Sequence, residues 1–362
     1  MANKTLNNVP YVPNCLSEAI NNIDSNSSSI MTMPSDDLIR VNKPVDDEIV
    51  PIIDYSMLFS NDPEKRSNSL RYLSHVCQDY GFFNLVNHGV SHSVFENVLK
   101  GISDFFDPTD VDGRRPYQGK NPTDRIRWGL SSSLEENREH LKVAVHPQFH
   151  CPPKPAHFSV ALEDYSKRLR EVELDLAKAM SRALGFEECY IEKALNLKSG
   201  FDVFVTNLYP PNFKSEGSMG LADHTDPGLF VSLIQDVNGG LQVLSHDGKW
   251  VDVNMPPSSI FIIFSDHLEI LTNGKCKSTV HRVVVGDNKV KRISASTLHG
   301  PSLEAFVKPA MEFLDDCHPP GYRGMTYKQY LEATGFHEVD VKSCLQQVLV
   351  PNNDKNNCYL VD

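Results

Sequence analysis

Leu70, Leu73, Val76, Cys77 and Tyr80 recur at helical spacing until Gly81, and the run Phe82-Phe83-Asn84-Leu85-Val86 that follows predicts a strand. A further helix is expected from about Ser91 to Phe106. Leu162, Tyr165, Leu169, Val172, Leu176 and Met180 mark a long amphipathic helix that starts soon after Pro155 and ends at Gly185, placed to back a core. Between about Phe201 and Leu298 the pattern changes to short β-branched and aromatic runs, such as Asp202 to Tyr209, Phe230 to Gln235 and Ile260 to Phe264. Asn-Gly, Asp-Gly and Pro-Pro steps separate them. Many short strands with turn signals predict a closed sandwich or jelly roll. Helix returns in the tail, where Thr326 and Gln329 are spaced as a capping box. The segment between Lys120 and Glu135 reads as a polar loop. The opening, rich in Asn, Ser and Asp, reads as a flexible leader. This divides the chain into a leader (1–48), a helix-rich region (49–200), a β-core (201–303) and a helical cap and tail (304–362), an α+β class.

Composition narrows the function. A chain of 362 residues with 40% hydrophobic content buries a substantial core. The formal charge is −12 and Lys and Arg are scattered, so no basic stripe exists to neutralise phosphates; nucleic acid and anionic membranes are excluded as expected partners. Residues 1–22 lack the basic and apolar regions of a signal peptide, and no apolar run reaches membrane-spanning length. The expectation is a cytoplasmic monomer. Its eight cysteines are widely spaced without a Cys-x-x-Cys pair, which removes a thiolate zinc knuckle and a thioredoxin-type centre.

Chemistry concentrates in the strand-rich part. On a strand the outer residues of His224-Thr225-Asp226 project to one face, setting an imidazole beside a carboxylate. Alone, this could be a surface pair. His281 follows fifty-five residues after Asp226, and then come Arg292 and Ser294. Two His and one carboxylate form the facial triad of non-haem Fe(II) oxygenases, which leaves three adjacent coordination positions open. The co-substrate 2-oxoglutarate takes two of them through its 1-carboxylate and keto oxygen, and dioxygen the third. Its 5-carboxylate then needs a distant anchor, which an Arg with a hydroxyl beside it suits. Singly, His281 would read as a core histidine and Arg292 as a surface cation; jointly, in this order, they read as a site. Asn207 and Tyr209 share a face at the end of the strand Asp202 to Tyr209 and could hydrogen-bond a ligand.

From about Val50 to Cys344 the chain resembles the plant-type soluble 2-oxoglutarate- and Fe(II)-dependent dioxygenases of hormone and specialised metabolism, flavonol synthase-like enzymes among them. The resemblance is carried by Tyr80-Gly81-Phe82-Phe83, Asn87-His88-Gly89-Val90, Asn207-Leu208-Tyr209-Pro210-Pro211, His224-Thr225-Asp226, Asn273-Gly274-Lys275, His281-Arg282, Arg292-Ile293-Ser294 and His299-Gly300-Pro301-Ser302. It implies a double-stranded β-helix, a cupin-like jelly roll flanked by helices. By the same resemblance His224, Asp226 and His281 hold iron, Arg292 and Ser294 hold the 5-carboxylate, and Tyr209 and Asn207 lie near the co-substrate. His88 looks structural. Leu208, Asn212, Ile263 and Ser265 depart from the common pattern, and none belongs to the triad.

The implied reaction decarboxylates 2-oxoglutarate to succinate and carbon dioxide and oxidises a C–H bond of a small molecule, with dioxygen consumed and ascorbate as reductant. Hydroxylation, demethylation and desaturation stay open, and so does a hormone as substrate. Asp226 argues against halogenation, since related halogenases vacate that position for chloride. A zinc hydrolase using the same triad would need no Arg-x-Ser anchor. A binding protein with a retired site would not keep every motif residue.

Strand alternation aims Val205 and Leu298 into the cavity. Val205 stands where family members acting on acids often carry Lys or Arg, so the expectation is a largely apolar, uncharged or cationic ring-bearing substrate such as an alkaloid or phenolic. Trp128 is expected to close over it as an aromatic wall.

Overall fold

The computed structural model describes residues 50–119, 124–132, 136–211, 218–285, 290–333 and 345–351. The leader, Asn212 and the end of the tail lie outside them. In chain order the strands around the site are β1 (Ile52–Asp54), β2 (Phe82–Val86), β3 (Ile126–Ser132) and β4 (Asn137–His146), followed by β5 (Asp202–Tyr209), β6 (Ser218–His224), β7 (Phe230–Gln235) and β8 (Leu241–Leu244). The last four are β9 (Trp250–Asp252), β10 (Ile260–Phe264), β11 (His281–Val285) and β12 (Arg292–His299). One sheet runs β1-β2-β10-β7-β12-β5-β4-β3 and the other β6-β11-β8-β9. Apart from the parallel β1–β2 pair, neighbours are antiparallel. The fold is a jelly roll flanked by helices.

Both long helices follow from local chemistry. The Asp62 side chain accepts from the backbone N–H groups of Glu64 and Lys65, Pro63 occupies the first turn, and the helix Pro63–Asp79 runs up to Gly81, whose φ of +82° suits glycine. Helix Ala156–Ala183 ends just before Gly185, also left-handed at φ +87°. Their apolar stripes, with Leu73, Val76, Leu162, Leu169 and Leu176, pack against Phe83, Leu85, Leu141, Val143, Phe204 and Ile262 on the outer face of the larger sheet. Alternate residues of the same strands point the other way: Tyr209, Val231, Leu233, Phe261 and Leu298 meet Leu221, Val243 and Val283 of the smaller sheet. This two-sided use fixes which residues can reach a site between the sheets.

The capping box is present: the Thr326 backbone N–H donates to Gln329 Oε1 at 2.9 Å, and the Gln329 N–H donates to Thr326 Oγ1 at 3.2 Å. Strands β1 to β4 come from the region before residue 200 yet share a sheet with β5, β7, β10 and β12. The division at residue 200 is therefore one of chain order and not of sheet. No helix among the described residues is long and apolar enough to cross a membrane.

Candidate active site

His224, the last residue of β6, lies directly across from His281, the first of β11, with ring centroids 4.3 Å apart. Strand β6 ends at His224, so Asp226 is not on the strand that the His-x-Asp spacing suggests. It sits in the connection to β7, where its backbone carbonyl accepts the N–H of Asp266 at 3.0 Å. Asp226 Oδ2 is 3.2 Å from His281 Nε2, and Oδ1 is 3.8 Å from His224 Nε2. Each imidazole turns Nδ1 toward a backbone carbonyl, that of Ala222 at 2.8 Å and of Thr279 at 3.1 Å. A ring nitrogen facing a carbonyl carries the proton, which leaves both Nε2 lone pairs for a metal.

The electrostatics differ between the two rings: His224 is held neutral, whereas His281 leans on Asp226. Burial, with His281 alongside, lowers the His224 pKa to about 4. Burial works against protonating His281, but its bond to Asp226 outweighs this and raises its pKa. Burial likewise opposes the Asp226 charge, yet the two imidazoles hold its carboxyl down at about 2. Two imidazoles and a carboxylate with converging ligand atoms fit a divalent first-row ion.

On the larger sheet, Arg292 and Ser294 of β12 pair with Tyr209 and Asn207 of β5. All four are buried. Arg292 Nε donates to the Gly239 carbonyl, Nη2 to Gln235 Oε1 at 2.7 Å and Nη1 to Ser294 Oγ at 3.2 Å, while the guanidinium lies 4.8 Å over the Tyr209 ring. Gly239 and Gly240 both have positive φ, a turn that favours glycine, and it brings that carbonyl to Arg292. The buried Tyr209 hydroxyl has no hydrogen-bond partner among the described residues. A buried, pre-oriented cation beside an unsatisfied hydroxyl suits a carboxylate end.

Sequence reasoning missed the contribution of β4. Lys142 pairs with Val205 and His140 with Asn207, and on the far side Arg127 pairs with Lys142 and Gly129 with His140. Arg138 donates to Asn207 Oδ1 at 2.6 Å and lies 3.5 Å from Glu136, whose Oε1 accepts the Ala222 N–H at 3.3 Å. Asn207 is thus held by its oxygen. Burial and then Arg138, Lys142 and Arg127 lower the His140 pKa to about 3, so the ring is neutral. Burial, Arg127 and Arg138 lower Lys142 to about 7 against the pull of Asp226 and Glu136. The signal was available: Leu141, Val143 and Val145 alternate with His140 and Lys142.

One expectation about the substrate needs correction. Val205 does face the inner side, and the register sets Lys142 of the neighbouring strand directly across from it. Trp128 is on β3 rather than in a loop, paired with Leu141 on the helix-facing side. Its indole N–H donates to Glu139 Oε1 at 2.6 Å and Arg114 stacks on its ring at 5.8 Å, so it packs on the helix-facing side of the sheet and not on the face that carries Asn207 and Tyr209. Trp128→Phe is therefore expected to cost about 0.5 to 1.5 kcal/mol of stability through the lost indole hydrogen bond, since Glu139 Oε1 keeps Arg114 Nε at 2.7 Å, with substrate KM unchanged. Urea unfolding and steady-state kinetics check both halves. Leu298 is on the expected face but is 6% exposed within the inner core, whereas Val205 is half-buried.

Glu173, Asp202 and His299 also converge, on the helix side of the sheet. Arg170 already pairs with Asp202, and His299 Nδ1 lies 3.0 Å from Asp202 Oδ1. A resident guanidinium opposes a second cation there, so this cluster is a buried ion network.

Comparison with known proteins gives consistent results. The model of the 2OG-Fe(II) oxygenase superfamily matches residues 200–301, and that of the N-terminal region of non-haem dioxygenases in morphine synthesis matches residues 50–162. The 2-oxoglutarate-dependent dioxygenase 19 of rice (Oryza sativa subsp. japonica) is 35% identical over 307 residues, 83% of this chain and 90% of its own. Rice flavanone 3-dioxygenase 2 is 30% identical over 317 residues, 85% of this chain and 90% of its own. The crystal structure of JOX2 in complex with 2OG, Fe and JA superposes with a TM-score of 0.73 at 24% identity, covering 83% of this chain and 89% of that one.

Proposed function

We propose, from the premise that this chain belongs to the 2OG-Fe(II) oxygenase superfamily, that His224, Asp226 and His281 hold its iron and that the enzyme oxidises a C–H bond of a small, largely apolar metabolite. The observation that carries the reading is the convergence of two Nε2 lone pairs and a carboxylate opposite a buried Arg292 with an unsatisfied Tyr209 hydroxyl. Arg292, Ser294 and Tyr209 receive the 5-carboxylate of 2-oxoglutarate. Asn207, its oxygen tied to Arg138, turns its Nδ2 hydrogens to the other end of the co-substrate.

When bound, Fe(II) and 2-oxoglutarate supply the oxidising power with dioxygen, yielding succinate and carbon dioxide. The chain's own residues position and shield: the Ala222 and Thr279 carbonyls fix the imidazole tautomers, and Asp226 supplies the anionic ligand. Hydroxylation is the simplest outcome, with demethylation or desaturation following from the same step on another substrate. A reductant such as ascorbate keeps the iron ferrous. The enzyme acts as a cytoplasmic monomer. A flavanone in one relative's name is consistent with a ring-bearing substrate of the phenolic kind; the cations around His140 weigh against a cationic alkaloid.

Iron-loaded protein given 2-oxoglutarate and a complex tissue extract should form succinate and change the mass of at least one metabolite in step. Succinate no higher than in an iron-free control would overturn the reading.

A further inference from the structure

We propose that Asp266 is the positioning residue of the metal site: its backbone holds the loop that carries Asp226, and its carboxyl group holds the segment that leads into His281. The inference rests on the metal-site reading above, which it deepens.

A strand would fix Asp226 through its ladder, but β6 ends at His224. The connection from Thr225 to Leu229 therefore needs another anchor, because a bound ion tolerates only about 0.2 Å of error in its ligand distances. Residues 265–267 supply it. The Asp266 N–H donates to the Asp226 carbonyl at 3.0 Å, that of His267 to the Gly228 carbonyl at 2.8 Å and that of Ser265 to the Leu229 carbonyl at 3.2 Å. In the other direction the Gly228 N–H donates to His267 Nδ1 at 3.2 Å. Gly228 has a φ of +110°, and a Cβ there would stand 2.9 Å from the His299 carbonyl oxygen, so the loop runs too close for a side chain.

The Asp266 carboxyl group reaches the other arm of the site. Its Oδ1 accepts from Ser278 Oγ at 2.7 Å, three residues before His281. Thr279, the next residue, donates its N–H to the Phe264 carbonyl at 3.0 Å and offers its own carbonyl to His281 Nδ1 at 3.1 Å. The placement of residues 278 and 279 thus sets the direction of the His281 ring. On its other oxygen, Oδ2, Asp266 accepts from the Tyr330 hydroxyl at 2.6 Å. Tyr330 comes from the helix Tyr327–Ala333, and its ring stands edge-on to His267 at 4.5 Å. A tail helix therefore braces the residue that spaces two metal ligands.

Asp266 and His267 are each 1% exposed. Hiding a carboxyl group and an imidazole from water is costly, and apolar side chains would fill the same space at less cost. What the polar pair adds is direction: its hydrogen bonds run to the Asp226 loop, to the approach to His281 and to the tyrosine that braces them.

The test reads metal affinity apart from activity. Metal-stripped full-length protein is titrated with Co(II), whose visible absorption reports its coordination, and the melting of the metal-free form is followed in parallel. Asp266→Ala is expected to weaken Co(II) binding about tenfold or more, the usual cost of removing a group that orients a metal ligand, and to shift the absorption band. Tyr330→Phe and Ser278→Ala each lose one hydroxyl and should weaken binding about fivefold, the worth of one hydrogen bond. These two carry the test alone should Asp266→Ala fail to fold. Leu169→Ala, a cavity in the helix Ala156–Ala183, should lower the melting point and leave Co(II) affinity unchanged. Affinity within twofold of wild type in the folded Asp266, Ser278 and Tyr330 variants, or an equal loss in Leu169→Ala, would overturn the positioning role. Wild-type protein that takes up no Co(II) would instead overturn the metal assignment beneath it.

Discussion

Replacing His224, Asp226 or His281 by Ala is expected to reduce 2-oxoglutarate turnover to background. Each supplies one ligand atom, and a ferrous site left with two protein ligands loses both affinity and the facial arrangement that keeps three positions adjacent. Asp226→Ala acts twice, because the carboxylate also holds His281 in place at 3.2 Å. Iron content measured after dialysis should fall together with succinate formation, while far-ultraviolet circular dichroism keeps its wild-type shape. Full succinate formation by an iron-depleted triple variant would sink the assignment.

Arg292→Gln is expected to raise the 2-oxoglutarate requirement far more than the requirement for the oxidised substrate. Losing a charge-assisted contact to a buried carboxylate costs roughly 2 to 4 kcal/mol, which corresponds to about thirtyfold to eight-hundredfold in apparent affinity. The side chain is already held by Gly239 and Gln235, so the wild-type cation needs little reordering when it meets the anion. Gln keeps a polar end but neither the charge nor the fork. Titration of 2-oxoglutarate at saturating substrate reads the effect, and an unchanged apparent affinity would show that the anchor lies elsewhere.

Much of this site was legible because strand periodicity and punctuation agree with each other there. Asp202–Tyr209, Phe230–Gln235 and Ile260–Phe264 occur as strands with the expected limits, since each is an apolar run closed by a turn signal. That placed Asn207 with Tyr209 and Arg292 with Ser294 on common faces. Asp226 was brought to the right place for the wrong reason: the strand stops at His224, and a loop pinned by the Asp266 N–H completes the cluster. Alternation at Leu141, Val143 and Val145 made β4 legible as a strand, but the hairpin β3–β4 was not legible as part of the site. Arg138, His140 and Lys142 point inward, and polar residues at alternate positions ordinarily mark the wet face of a strand. Only the pairing of Lys142 with Val205, sixty-three positions apart, shows that this polar face lines the site. The same omission sent Trp128 to a loop, when its pairing with Leu141 turns it toward the helices.

The two halves of the site stand on different sheets. His224 and His281 belong to β6 and β11, and Arg292, Ser294, Asn207 and Tyr209 to β12 and β5. A co-substrate held by metal at one end and by Arg292 at the other is then a cross-brace between layers. Whatever free energy it contributes by drawing the layers into register is shared by both ligands. By thermodynamic reciprocity, iron must tighten 2-oxoglutarate by the same factor that 2-oxoglutarate tightens iron. On the proposed ligand assignment the jelly roll would act as a coincidence detector for its two small ligands, most rigid only when both are present together.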